Sequence, residues 1–246
     1  MADSGTKRPV ALVTGASRRI GREIALGLAV RGYDVAIHTH NAAGEAREVI
    51  GRIEALGRRA VAVVADFGNL AEVEHMVPRT IDLLGAPVCL VNNASEFRDD
   101  TMASLNGATW DAHHNVNLRA PVFLAQALAL HLPEGAAGNV INIIDQRVLR
   151  PAPDFFSYAL SKAGLWAATR TMAQALAPRV RVNAIGPGPV LQSVHQTEAE
   201  FAAECAATLL KRGSSPAEIA AAVGFILDAP AMTGQLIVLD AGQHLA

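Results

Sequence analysis

Val10-Ala11-Leu12-Val13-Thr14-Gly15-Ala16-Ser17-Arg18-Arg19-Ile20-Gly21 is the stretch on which the fold turns. A short apolar run meets a glycine-bearing turn, and a helical pattern follows from Arg19 to Arg31. Uninterrupted apolar runs of this length suit a parallel strand whose two faces are both covered by helices. Gly15 permits a tight turn, and Gly21 lets the helix approach the sheet closely. The helix N-terminus then offers unpaired N–H groups and a positive dipole end, which together attract a pyrophosphate. Two glycines in a turn are a weak signal alone. Their place after the first strand of an alternating chain makes dinucleotide binding the expectation.

The alternation continues outward from that turn. Strands are predicted at residues 34–38, 60–65, 87–91, 139–144, 180–185 and 236–239, with helices near 43–56, 70–84, 107–131 and 155–177. No Gly/Ser/Pro linker divides the chain. The prediction is therefore one α/β domain over residues 1–246, a doubly wound parallel sheet of about seven strands with helices on both faces. Residues 188–212, with few aromatics beyond Phe201, are expected to cover a substrate.

Composition narrows the function classes. Of 246 residues, 51% are hydrophobic and 18% charged, which fits a globular core rather than disorder. A formal charge of −2 gives no general attraction to nucleic acid or acidic membranes, and neither is expected as a partner. No run approaches the roughly 20 apolar residues of a membrane helix. The first fifteen residues pass into a strand without an apolar leader segment. Two cysteines, Cys89 and Cys205, lie far apart and form no cluster, so a reducing cytosol and no disulfide are expected.

Candidate site residues gather at predicted strand ends. Asp66, followed by Phe67, ends the third strand, where a carboxylate can accept from an adenine amino group. Asn93-Ala94-Ser95 follows the fourth strand beside the expected crevice. The second strand ends His38-Thr39-His40-Asn41, without the carboxylate that would favour an unphosphorylated ribose. With Arg18 as a guanidinium partner for a 2′-phosphate, this points to NADPH/NADP+ over NADH. His38 and His40 lack a third ligand, so no metal is expected. Tyr158 and Lys162 stand four apart on a predicted helix, on one face, and a nearby ammonium should lower the phenol pKa. Asp145 ends the fifth strand. Asn117 lies mid-helix, where its amide can hold a water beside Lys162. Pro187-Gly188 can shape a pocket floor around a nicotinamide.

TGASRRIG, Asp66, NNAS, Asn117, YxxxK, PGP and the terminal LDAG together make the chain resemble the short-chain dehydrogenase/reductase family along nearly its whole length. The resemblance implies a Rossmann-type fold, a nicotinamide cofactor held by Gly15, Ser17, Arg18, Arg19, Ile20, Gly21 and the strand-end residues above, and hydride transfer. It also implies that Tyr158 donates a proton, that Lys162 binds the nicotinamide ribose, and that Asn117 supports a proton relay. The common family pattern has glycine at Arg19 and serine at Asp145. Both departures are shared by the pteridine and dihydromonapterin reductases, which the chain resembles more closely. That subgroup implies Arg19 on cofactor phosphate and pterin, Phe97 stacked on the pterin, and Asp145 working with Tyr158 to protonate the substrate. Glu96, beside Phe97, has no assigned role.

Two alternatives remain: a carbonyl or 3-ketoacyl thioester reductase, and a non-catalytic NADP(H)-sensing protein. The Ala/Leu/Val-rich helices near 107–131 and 155–177 are expected to pack subunits into a homotetramer.

Overall fold

The computed structural model describes residues 8–41 and 43–246. The reading of the first seven residues as free of a leader lies outside them. Seven strands, β1 (Val10–Val13), β2 (Asp34–Thr39), β3 (Ala60–Val64), β4 (Pro87–Asn92), β5 (Gly138–Ile143), β6 (Val180–Pro187) and β7 (Leu236–Leu239), form one parallel sheet. Their order is β3-β2-β1-β4-β5-β6-β7. Chain order reverses between β1 and β4, so the loops leaving these strands part and open a crevice at their carboxyl ends.

The helices are α1 (Arg19–Val30), α2 (Arg47–Ala55), α3 (Leu70–Leu83), α4 (Gly107–His114), α5 (Ala120–His131), α6 (Phe156–Leu176), α7 (Glu198–Ala207) and α8 (Pro216–Asp228). Successive strand residues face opposite sides, so each strand feeds two cores. Ala11 and Val13 join one with Ile24 of α1, Ile53 of α2 and Ile219 of α8. Val10 and Leu12 join the other with Met76 of α3, Leu124 of α5 and Ala173 of α6. Fully burying each large aliphatic side chain contributes roughly 1.5–3 kcal/mol. The doubly wound sheet read from the sequence is thus the observed architecture. No helix among the described residues is long and apolar enough to cross a membrane.

Three differences bear on the site. The helix expected over 107–131 contains a π-helical turn, Asn115–Arg119, between α4 and α5. Phe155 is a left-handed cap (φ 49°) before α6 rather than its first residue. Residues 188–212 contain α7, and α8 follows where no helix was expected.

Candidate active site

Gly15 adopts a left-handed φ of 60°, and a Cβ there would meet Ala94 Cα at 3.0 Å. A Cβ on Gly21 would lie 2.4 Å from the Gly15 carbonyl oxygen and 2.5 Å from Asn93 Nδ2, which no side chain tolerates. The turn is locked to the end of β4. Asn93 Nδ2 donates to the carbonyls of Thr14 (2.9 Å) and Gly15 (3.1 Å), and Thr14 Oγ1 accepts from the Asn93 and Ala94 amides, both at 2.9 Å. Arg18, extended and exposed, precedes α1 without a side-chain cap, and the first turn of α1 carries no acidic residue. The turn, with a cradle no side chain can enter and uncapped amides, fits a dinucleotide phosphate.

The end of β2 divides in two. His40 and Asn41 are exposed, whereas Thr39 is buried. His38, expected to touch cofactor, is 3% exposed and lies beneath the turn. Its Nδ1 accepts from the Gly15 amide (3.1 Å), its Nε2 donates to the Ala65 carbonyl (3.0 Å), and its ring stacks on Phe67 at 4.2 Å. Burial pulls its pKa down to about 4, so the ring is neutral and supports the turn from below. Phe67, also expected at the cofactor, is equally buried in that stack. Asp66 stays half-exposed, its Oδ1 accepting from the Gly68 amide at 2.7 Å.

The chemistry centres on α6 and the end of β5. Tyr158 and Lys162, one turn apart, are 6% and 2% exposed. Tyr158 Oη donates to Asp145 Oδ2 at 2.7 Å. Lys162 Nζ donates to the Ile143 carbonyl at 3.0 Å and lies 5.7 Å from the centre of the tyrosine ring. The expected lowering of the phenol pKa is not found. Burial, then the charge and hydrogen bond of Asp145, hold Tyr158 well above its ordinary value. Burial likewise raises Asp145, against the hydrogen bonds it accepts from the Arg147 amide (2.8 Å) and Tyr158. Burial draws Lys162 down to about 8. The phenol is therefore held protonated, and the carboxyl that accepts its hydrogen bond has a raised proton affinity.

Asn117 sits in the π turn, fully buried. Its Oδ1 accepts from the Glu96 amide (2.8 Å) and Ser95 Oγ (3.2 Å), and its Nδ2 donates to the Glu96 carbonyl and Ser161 Oγ, both at 3.0 Å. Those four bonds exhaust the amide, leaving no capacity for the expected water. Its work is to tie the loop after β4 to α6. Glu96, unassigned in the sequence, supplies the backbone half of that tie and pairs with Arg98 Nε at 2.7 Å.

A cavity of about 510 Å³ connects these parts and also reaches Phe97, Pro187, Gly188 and Arg19. Arg19, with a left-handed φ of 52°, sends its guanidinium to the carbonyls of Leu191 (3.1 Å) and Gln192 (3.0 Å), pinning the segment after β6 over the cavity. Ser17 and Ile20 are partly buried in the same turn, and Ile20 lines the cavity. Phe97 stacks on Phe155 (4.3 Å, 9°) and meets Tyr158 edge-on at 4.7 Å. Phe155, Arg147 and His195 were not read from the sequence. Arg147 holds Asp154 through two bonds of 2.8 and 3.0 Å and lies 5.4 Å from the centre of the Phe155 ring. His195 Nε2 donates to the Phe97 carbonyl at 2.9 Å. Among the described residues no group of three His, Cys, Asp or Glu is placed to hold a metal.

Known proteins share this fold. A family model for short chain dehydrogenase matches residues 9–203. FolM alternative dihydrofolate reductase 1 from Brucella suis, crystallised with NADP, is 46% identical, with a TM-score of 0.93 over 97% of this chain and 96% of that one. Its counterpart from Brucella canis, also with NADP, is 44% identical, with a TM-score of 0.91 over 97% and 95%. A 3-oxoacyl-[acyl-carrier-protein] reductase from Synechocystis is 34% identical across 95% of this chain and 96% of its own.

Proposed function

The chain belongs to the short-chain dehydrogenase family, and from that premise we propose that it is an NADPH-dependent reductase of a pterin-type substrate, a dihydropterin or dihydrofolate-like ring. The observation that carries this reading is the 2.7 Å bond from Tyr158 Oη to Asp145, inside a cavity that Phe97 lines. A flat, electron-poor ring suits an aromatic wall. Two NADP-bound relatives named as dihydrofolate reductases, at 44% and 46% identity, support it.

The glycine turn, Arg18, His40, Asn41, Asp66, Asn93, Lys162 and Pro187-Gly188 are the residues to hold the cofactor, which when bound supplies the hydride. Tyr158 gives its phenolic proton to the ring nitrogen. Asp145, whose burial raises its proton affinity, can carry the next proton, and once protonated it passes that proton to Tyr158 with the direction of their hydrogen bond reversed. Lys162, fastened to the Ile143 carbonyl, keeps a cationic donor beneath the site. Arg19 holds the segment after β6 closed over the substrate.

The relatives named as 3-oxoacyl reductases favour a second reading, reduction of a ketone or 3-ketoacyl thioester. Against it, Asp145 stands where such a substrate needs a hydroxyl donor. A non-catalytic sensor would have no use for the buried Tyr158–Asp145 pair. Exposed Trp110, Leu130 and Leu160 on α4, α5 and α6 fit the homotetramer we propose for the protein, and two unpaired cysteines fit a cytoplasmic setting. The test is NADPH oxidation followed by absorbance, with dihydrobiopterin, dihydromonapterin and dihydrofolate set against ketones and acetoacetyl thioesters. Turnover confined to the pterins supports the proposal, and turnover confined to the carbonyl compounds overturns it.

A further inference from the structure

Behind the catalytic pair lies a second polar chain that no step above uses. Asp100, His113 and Ser157 are 3%, 0% and 0% exposed. The Arg98 amide donates to His113 Nε2 at 3.0 Å. A backbone N–H can only donate, so Nε2 is the bare nitrogen and the ring proton resides on Nδ1. Nδ1 lies 2.6 Å from Ser157 Oγ and donates to it. The serine hydroxyl in turn donates to Asp100 Oδ2, while Asp100 Oδ1 accepts from the Ser157 amide at 3.0 Å. The Asp100 carbonyl also accepts from the Phe156 amide at 3.0 Å. Asp100 thus caps the first turn of α6, whose own preceding residue, Phe155, provides no side-chain cap.

Ser, His and Asp in contact suggest a nucleophile, but the direction of the chain forbids it. The histidine donates to the serine and the serine proton points at the carboxylate, so the imidazole cannot act as the base that activates Oγ. The ends of the chain matter instead. Arg98 directly follows Phe97, and Ser157 directly precedes Tyr158. One ring, His113, therefore bridges the loop bearing the aromatic wall and the helix turn bearing the proton donor. Phe97 and Tyr158 sit edge-on at 4.7 Å, and the His113 ring is 6.0 Å from that of Tyr158.

We propose that His113 is a positioning residue, setting the distance between the ring-stacking Phe97 and the proton-donating Tyr158 through the chain from the Arg98 amide to Asp100. This rests on the reading of Phe97 as the substrate's stacking partner. The two ends of the imidazole do separable jobs: Nε2 places the Phe97 loop, and Nδ1 places the first turn of α6.

Two variants separate them, assayed with NADPH and dihydrobiopterin. His113→Asn keeps a donor near the Nδ1 position and strips the acceptor from the Arg98 amide. It should raise KM for the pterin about tenfold with kcat little changed. His113→Gln keeps an acceptor near Nε2 and strips the donor to Ser157. It should lower kcat about tenfold with KM little changed. If the glutamine variant does not fold, Ser157→Ala carries the same arm. NADPH affinity, read by fluorescence, should be unchanged in all of them. Parallel losses of kcat, KM and NADPH affinity, or no kinetic change in either variant, would overturn the proposal. Phe97→Ala distinguishes the two layers. If it leaves KM untouched, the stacking reading fails; if it raises KM while His113→Asn does not, the positioning role fails.

Discussion

His38 offers a prediction that joins the fold to the cofactor turn. Its ring is buried, both nitrogens are committed to backbone groups, and its pKa falls to about 4 from an ordinary 6.5. Because the folded value is depressed, the unfolded chain binds more protons in between. The stability His38 contributes is complete above pH 6.5 and drains away as the pH falls toward 4. The gap between the two values corresponds to roughly 3 kcal/mol, of which about 2 kcal/mol is lost by about pH 5. Protonation would place a proton where Nδ1 now accepts from the Gly15 amide, so the phosphate turn should loosen in the same window. The comparison is His38→Asn, which keeps an acceptor near Nδ1 but does not titrate. Urea unfolding near pH 7.5 and pH 5 should show wild type losing about 2 kcal/mol more than the variant between the two. Absolute stability of the variant will be lower, since it abandons the Phe67 stack; only the difference in slope matters. Identical pH dependence in both proteins would refute the reasoning.

Gly21→Ala should fold but bind NADPH at least about a hundredfold more weakly, because its Cβ would sit 2.4 Å from the Gly15 carbonyl and force the turn open. Fluorescence titration checks it. Arg19→Gly should raise the melting temperature by relieving a left-handed φ, a strain of about 1 kcal/mol, while raising substrate KM through loss of the bonds to Leu191 and Gln192. Thr14→Val should cost about 2 kcal/mol in urea unfolding, since the Asn93 and Ala94 amides lose their shared acceptor.

The sheet was legible because strand and helix periods differ, and because β1, the Gly15–Gly21 turn and α1 follow in the one order that makes a phosphate cradle. Asp145, Tyr158 and Lys162 could be brought together from position alone, at a strand end and on one helix face. What could not be read was which pair forms. Lys162 answers to a buried carbonyl of β5, and the phenol is left to Asp145, so the shift in Tyr158 has the opposite sign. The π turn around Asn117 was hidden because five residues of π helix carry the same apolar pattern as α helix. Phe155 was taken as helical because a left-handed phenylalanine has no sequence signal. By contrast, α7 and α8 did have one: Thr197 with Glu200, and Ser215 with Glu218 after Pro216, form capping boxes that mark both starts. His38 was expected at the cofactor because it ends the predicted strand, but its ring is buried with both nitrogens on backbone groups of the neighbouring turns, which strand period alone does not reveal.

The central claim, that Asp145 and Tyr158 act as one proton-donating pair toward a pterin, is tested most directly by single-turnover reduction of dihydrobiopterin by NADPH in wild type and Asp145→Asn. Asparagine keeps the shape and an acceptor for the Tyr158 hydroxyl, but it cannot hold the exchangeable carboxyl proton. The rate should fall at least about a hundredfold with NADPH affinity unchanged. An unaltered rate in the variant would contradict the account.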